Sequence, residues 1–123
     1  SGSPGVGLAL LRCRENGLSS PELDEDIERA KLSCMTNKTV YRDHLCCGNS
    51  STVDFLLSVS GCQEQAGRLL AFMKSRKDDE GSYHFMPPVY RQVPCLDLFF
   101  GAAGIGYEML RYAGRSQLEQ IMF

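Results

Sequence analysis

Three short stretches, each beginning with small residues, constrain the fold of this chain more than any other feature. GVGLALL begins at residue 5, STVDFLL at residue 51 and GIGYEML at residue 104, and the three align without gaps. Their spacing of roughly 50 residues is typical of repeated helical hairpins, in which a polar segment covers an apolar inner helix. The pattern predicts an all-α chain of about three helical hairpins that form part of an α/α toroid. An irregular helical bundle with Gly-rich turns fits the same periodicity, so spacing alone leaves both architectures open.

Two amphipathic helices are predicted between these stretches. Ser20 is a candidate N-cap for a helix whose first position is Pro21. Apolar residues at helical spacing give this helix, and the one over residues 62–77, a single buried side. They are Leu23, Ile27, Ala30 and Cys34 in the first helix, and Ala66, Leu69, Leu70 and Met73 in the second.

Prolines set a different expectation for residues 81–94. Pro87, Pro88 and Pro94 argue against a helix there, because proline removes a backbone donor and clashes with the preceding turn. We predict a loop with room for a short irregular hairpin, followed by the last strong helix, over residues 101–113.

Composition excludes several classes of partner. The 13 basic and 15 acidic residues form no Lys/Arg cluster, so a nucleic-acid partner is not expected. No apolar run is long enough to span a bilayer, and the N-terminal residues lack the pattern of a signal peptide. Cytoplasmic residence follows as the expectation.

Six cysteines could indicate a disulfide scaffold, but their placement favours free thiols in a reducing compartment. Cys13, Cys34 and Cys62 lie within helical patterns, where a free cysteine packs as a small hydrophobic residue. Cys46 and Cys47 are different because they are adjacent, and a disulfide between neighbours is strained.

The adjacent cysteines in HLCCGNSS precede a helix predicted to begin near Asn49. Helix N-termini favour thiolates, and thiolates bind Zn²⁺ in tetrahedral sites. Gly48 makes a turn between the two thiols easier. A redox pair is disfavoured because the usual two-residue spacer is missing. Two interpretations remain open: the pair binds a metal, or one cysteine packs in the interior and the other has no role. Neither His44 nor His84 is an evident further metal ligand.

Taken together, the motifs resemble a known family. Three segments, in their order along the chain, resemble the C-terminal part of LanC-like lanthionine synthetase cyclase domains. They are SPGVGLALLR, LCCGNSSTVDFLL and LFFGAAGIGYEMLRYA. The similarity is closest to class II bifunctional enzymes of the LanM type, in the subgroup with a Cys-Cys-Gly motif. This resemblance implies a double-layered α/α toroid with Zn²⁺ at the end of its central cavity. It also implies that Cys46 and Cys47 are two of three cysteine ligands to the metal.

The resemblance further implies an activity and a partner. In intact enzymes of this family, cysteine thiolates of a precursor peptide add to dehydroalanine or dehydrobutyrine and form lanthionine or methyllanthionine thioethers. The family pattern places a further zinc cysteine just before Ser1, and an acid/base histidine earlier still. Residues 1–123 are therefore interpreted as a C-terminal fragment of the cyclase domain, with an incomplete zinc site, no assigned catalytic residue and no activity alone.

Two consequences and two alternatives accompany this interpretation. A partial toroid leaves apolar edges that favour self-association, and Cys13 or Cys95 could substitute for the missing ligand, although packing explains both more simply. One alternative function is a non-catalytic helical module that binds peptides. The other is a small helical protein whose cysteine pair binds a metal for structure only.

Overall fold

The computed structural model describes residues 2–36, 39–85 and 95–114, and these ranges contain five helices and no strand. The predicted all-α class is therefore confirmed. The terminal segment over residues 116–123 and most of the loop over residues 81–94, with its possible hairpin, lie outside the described residues. The helices are α1 (Gly2–Glu15), α2 (Pro21–Thr36), α3 (Asn49–Ser58), α4 (Gln63–Glu80) and α5 (Ala102–Tyr112).

The helices form an inner and an outer layer, and α3 lies at the centre of the inner one. In the inner row, α3 contacts α1 on one side and α5 on the other, and these are the three helices that contain the repeated stretches. In the outer layer, α2 packs on α1 and α4 packs on α3, which gives two helical hairpins. This alternation of inner and outer helices is the arrangement expected of part of an α/α toroid.

The core explains why α3 lies at the centre. Seven of its residues, including Asp54 and Phe55, are buried, so the helix is enclosed by other parts of the chain on most sides. The Phe55 ring packs with residues of α1 and α2, and a Cβ on Gly7 would lie 2.5 Å from that ring. Gly7 thus lets α1 approach α3 closely. A second cluster joins α3 to α4 and consists of Val53, Leu56, Cys62, Ala66, Leu70 and Met73.

The amphipathic helices follow their sequence pattern. Ser20 Oγ accepts a 3.0 Å hydrogen bond from the Leu23 amide, which confirms the predicted N-cap of α2. Ile27 and Ala30 are buried, as are three of the four stripe residues of α4. None of the described helices is long and apolar enough to cross a membrane.

The turns that precede α3 and α5 share one hydrogen-bonding pattern. The Asn49 amide donates to the carbonyl of Arg42 at 2.8 Å, and the Ala102 amide donates to the carbonyl of Cys95 at 3.0 Å. Each turn ends in an extended glycine that serves as the helix N-cap, Gly48 before α3 and Gly101 before α5. The repeat therefore includes the loops as well as the helices.

Candidate functional site

Cys46 and Cys47 lie on the turn of residues 42–48, which we call the thiol turn. Both side chains are half-buried, and all six cysteines of the chain, which lie in the described ranges, are free thiols. The turn closes around Gly48, where a Cβ would lie 2.5 Å from the His44 carbonyl oxygen and 2.6 Å from that of Arg42. Only glycine fits this close main-chain approach, which places two adjacent thiols immediately before α3.

Asp43 anchors the thiol turn in the protein interior. Its side chain has no exposed surface and accepts hydrogen bonds from Asn49 Nδ2 at 2.9 Å and from Arg76 Nη2 at 2.6 Å. Its second oxygen accepts a 3.0 Å bond from the His84 amide. Because these donors come from α3, α4 and the segment after α4, the carboxylate fixes the turn relative to three parts of the chain.

Asn49 and Arg76 extend this anchor. The Asn49 side chain donates to the Val40 carbonyl and accepts from the Val40 amide, both at 3.0 Å. Arg76 Nη2 also donates to the Tyr41 carbonyl at 2.9 Å, while its buried Nε has no hydrogen-bond partner among the residues that the structure describes. Neither Asp43 nor Arg76 was predicted from the sequence, where the local signal is a carboxylate placed shortly before the cysteine pair.

Both histidines are buried, and their rings contact other residues of the fold. His84 Nδ1 lies 3.0 Å from the Tyr41 carbonyl oxygen, its Nε2 pairs with Glu80, and its ring packs 4.3 Å from that of Tyr41. His44 Nδ1 accepts a long 3.5 Å contact from the Cys47 amide, which assigns the ring proton to Nε2. Burial, followed by the charge of Arg42, lowers the pKa of His44, so its ring is neutral at pH 7.

A positive charge lies beside the thiols. Arg42 Nη1 is 3.9 Å from Cys47 Sγ. The Arg42 side chain is exposed, so this contact faces solvent.

The donor set fits zinc chemically but supplies only part of a site. Two thiolates are typical zinc ligands, and tetrahedral sites need four. Among residues 2–36, 39–85 and 95–114, no group of three or more His, Cys, Asp or Glu could hold a metal ion. Cys13 and Cys95 therefore do not complete the site, and Cys95 Sγ instead donates to Asp97 Oδ2 at 3.3 Å. Cys46 and Cys47 would hold a zinc ion together with ligands from outside these residues.

A second turn, over residues 95–101, packs against the thiol turn. The Cys46 amide donates a 2.8 Å hydrogen bond to the Phe99 carbonyl, and the Phe100 ring meets the His44 ring edge-on, with centroids 5.4 Å apart. Gly104 of α5 makes the close packing possible, because a Cβ there would lie 3.0 Å from Leu45 Cβ. Two exposed phenylalanines therefore lie on the turn that packs against the thiol turn.

A buried ionic cluster joins α3 to α5 away from the thiols. Arg111 Nη1 pairs with Asp54 and lies 3.2 Å from Glu108 Oε2, while its Nη2 donates to Ser58 Oγ at 3.3 Å. Burial, followed by the nearby Asp54 carboxylate, raises the pKa of Glu108 to about 9. Glu108 is therefore neutral at pH 7, and the cluster holds one acid, one carboxylate and one guanidinium.

The chain is built from stacked helical hairpins of the α/α toroid type, and two adjacent thiols lie at the start of one of its inner helices. A sequence model of the family described as lanthionine synthetase C-like protein matches residues 1–123. The chain therefore belongs to the LanC-like family. No curated protein and no solved structure matches the chain significantly.

Proposed function

We propose that this chain is the C-terminal part of a LanC-like cyclase domain from a class II, LanM-type lanthionine synthetase. In the intact domain the activity would be addition of peptide thiols to dehydro residues. Family membership over residues 1–123 and the two helical layers support this assignment. The observation that carries it is the adjacent pair Cys46 and Cys47 on a closed turn, anchored by a fully buried Asp43.

The reaction is a Michael-type addition within the precursor peptide. A cysteine thiolate attacks the β-carbon of dehydroalanine or dehydrobutyrine, a carbon–sulfur bond forms, and the π electrons shift toward the adjacent carbonyl. The α-carbon then takes up a proton, which replaces the proton lost by the thiol, so the thioether contains all the atoms of the two reacting residues. Zinc, when bound, supplies a thiolate near neutral pH, because a coordinated thiol is deprotonated.

The residues of this chain have limited roles in that reaction. Cys46 and Cys47 would hold the metal, and Gly48 and Asp43 would keep the turn closed. Neither histidine is assigned to proton transfer, since His44 caps the turn and His84 is engaged with Tyr41 and Glu80. We therefore expect the isolated chain to be inactive as a cyclase.

The direct test is metal binding by the full chain. The chain is titrated with zinc and is expected to bind it weakly through Cys46 and Cys47, because they supply two of the four ligands of a tetrahedral site. Cys46→Ser and Cys47→Ser should each weaken zinc retention, whereas Cys13→Ser, a half-buried thiol on α1, should not. Cobalt loading adds a spectroscopic measurement, because thiolate ligands give a charge-transfer band that serine does not. Unchanged zinc binding in the Cys46→Ser/Cys47→Ser double variant would contradict the proposal.

A second candidate function is a helical module that binds the peptide without catalysis. The absence of a three-residue metal group among the described residues favours it. Such a module would bind a dehydrated peptide but fail the zinc test. Thioether formation by the isolated chain would contradict both this alternative and the expected inactivity.

We also propose that copies of this chain associate with each other through exposed apolar side chains. Large apolar side chains, including Val6 and Leu110 of the inner row, are about half exposed. A second copy of the chain, or the rest of the domain, could cover them. Sedimentation velocity over a range of concentrations tests whether the chain forms dimers.

A further inference from the structure

The turn before α5 exposes an unusual run of apolar side chains, which we call the aromatic shelf and define as Phe99 and Phe100. Their exposed fractions are 44% and 49%, and Leu96 and Leu98 of the same turn are also exposed. Soluble proteins rarely expose neighbouring large apolar side chains without a binding role. The shelf is therefore a candidate interaction surface.

The position of the shelf is fixed relative to the thiols. The Phe99 carbonyl accepts the Cys46 amide at 2.8 Å, and the Phe100 ring packs against His44, the residue whose Nδ1 caps the Cys47 amide. In the repeated turn, Phe99 and Phe100 take the positions that correspond to Cys46 and Cys47. One turn thus presents two thiols, and the turn packed against it presents two aromatic rings.

The backbone that supports the shelf is well constrained. The Phe100 amide donates a 2.7 Å hydrogen bond to Asp97 Oδ1, which matches the capping contact of His44 in the thiol turn. A Cβ on Gly101 would lie 2.5 Å from the Cys95 carbonyl oxygen, so this turn is as tightly closed as its counterpart. These contacts hold the backbone that carries the two rings in a defined position relative to the thiol turn.

We propose that the aromatic shelf binds the dehydro residue of the substrate peptide, an inference that rests on the proposed function and specifies its substrate contact. A dehydroalanine or dehydrobutyrine residue is planar and apolar at its reactive carbon, and it packs well on a phenyl face. Serine and threonine, from which dehydro residues derive by loss of water, would lose hydration of their hydroxyl on the same surface. The shelf therefore selects the dehydrated form and holds it beside the thiols.

The test uses the full chain and a short labelled peptide with one dehydrobutyrine and no cysteine, so that no addition occurs. A matched peptide contains threonine instead. Fluorescence anisotropy should show the dehydrobutyrine peptide bound about 2- to 10-fold more tightly, the range of one aromatic contact. Phe99→Ala and Phe100→Ala should each reduce this preference. Leu32→Ala removes a 63% exposed apolar side chain from α2 and should preserve it.

The outcomes separate this inference from the proposed function. Equal binding of the two peptides, or an unchanged preference in both alanine variants, would overturn the shelf's role. Zinc retention by the same variants, with helical circular dichroism as a folding control, is expected to match the parent chain. If zinc binding through Cys46 and Cys47 is found without any peptide preference, the proposed function stands and the shelf proposal fails. If the alanine variants abolish dimer formation and leave the peptide preference intact, the shelf is a contact between copies, which also overturns the inference.

Discussion

Arg76 donates a 2.6 Å hydrogen bond to Asp43, a carboxylate with no exposed surface that lies at the base of the thiol turn. The two residues come from α4 and from the connection before α3, and they meet only because α3 and α4 form a hairpin. A buried carboxylate needs such a partner, since an unpaired charge in the interior is strongly unfavourable. The contact therefore ties the candidate metal site to the stability of the fold.

We predict that Asp43→Ala lowers the free energy of unfolding by about 3 to 5 kcal/mol, because it leaves the Arg76 guanidinium without its charged partner. Urea unfolding followed by circular dichroism measures the loss. The control is Asp78→Ala, which removes an exposed ion pair with Lys74 and should change the free energy of unfolding very little. Similar losses in both variants would contradict the anchoring role of Asp43.

Gly48→Ala is predicted to open the thiol turn, because the new Cβ would lie 2.5 to 2.7 Å from main-chain atoms of His44 and Arg42. Since main-chain atoms cannot rotate away, the variant should lose both stability and zinc retention. Gly106→Ala is the matched control, because no atom of the described residues lies within 4 Å of its Cβ and α5 should become more stable by about 0.5 to 1 kcal/mol. Full zinc retention by Gly48→Ala would refute the importance of the turn.

Glu108→Gln should raise stability at neutral pH. The pKa of Glu108 is about 9 in the folded chain, against an ordinary value of 4.5, so between these values only the folded form retains the proton. The free energy of unfolding therefore falls as pH rises through this window, by up to about 1.4 kcal/mol per pH unit. Glutamine cannot titrate, so the advantage of the variant should grow from pH 5 to pH 9.

Urea unfolding of both proteins across this pH range measures the difference. Glu64→Gln provides the control, since Glu64 is an exposed residue paired with Arg68. Parallel pH profiles for the parent chain and Glu108→Gln would show that Glu108 is ionised in the folded state, which contradicts its neutral assignment.

The approach of α1 to α3 gives a further prediction. Gly7→Ala should destabilise the chain by about 1 to 3 kcal/mol, because its Cβ would press on the fully buried Phe55 ring. Gly5→Ala should not, because the new Cβ would have no atom within 4 Å in the part of the chain that the structure describes. A double-mutant cycle with Phe55→Leu is expected to show coupling, since the smaller side chain makes room for the methyl group. Additive effects would mean that the two residues do not contact as described.

Local features of the chain were predictable from sequence. Helix periodicity, the Ser20 cap and the small residues at helix starts act within a few residues, so the five helices follow from neighbouring side chains. The cysteine pair is also evident from the sequence, because its two residues are adjacent. Its assignment as a metal site comes from the family resemblance and stays a proposal.

The contacts that define the site depend on tertiary structure. Nothing in the sequence pairs Asp43 with Arg76, places Phe99 against Cys46 or buries Glu108 beside Asp54. The positions of the helices and the chemically unusual residues were predictable without the tertiary structure, because they depend on local propensity and residue type. Only the packing of α3 against α4 and α5 decided which polar groups lose water and therefore need a partner, because burial is a property of the assembled layers.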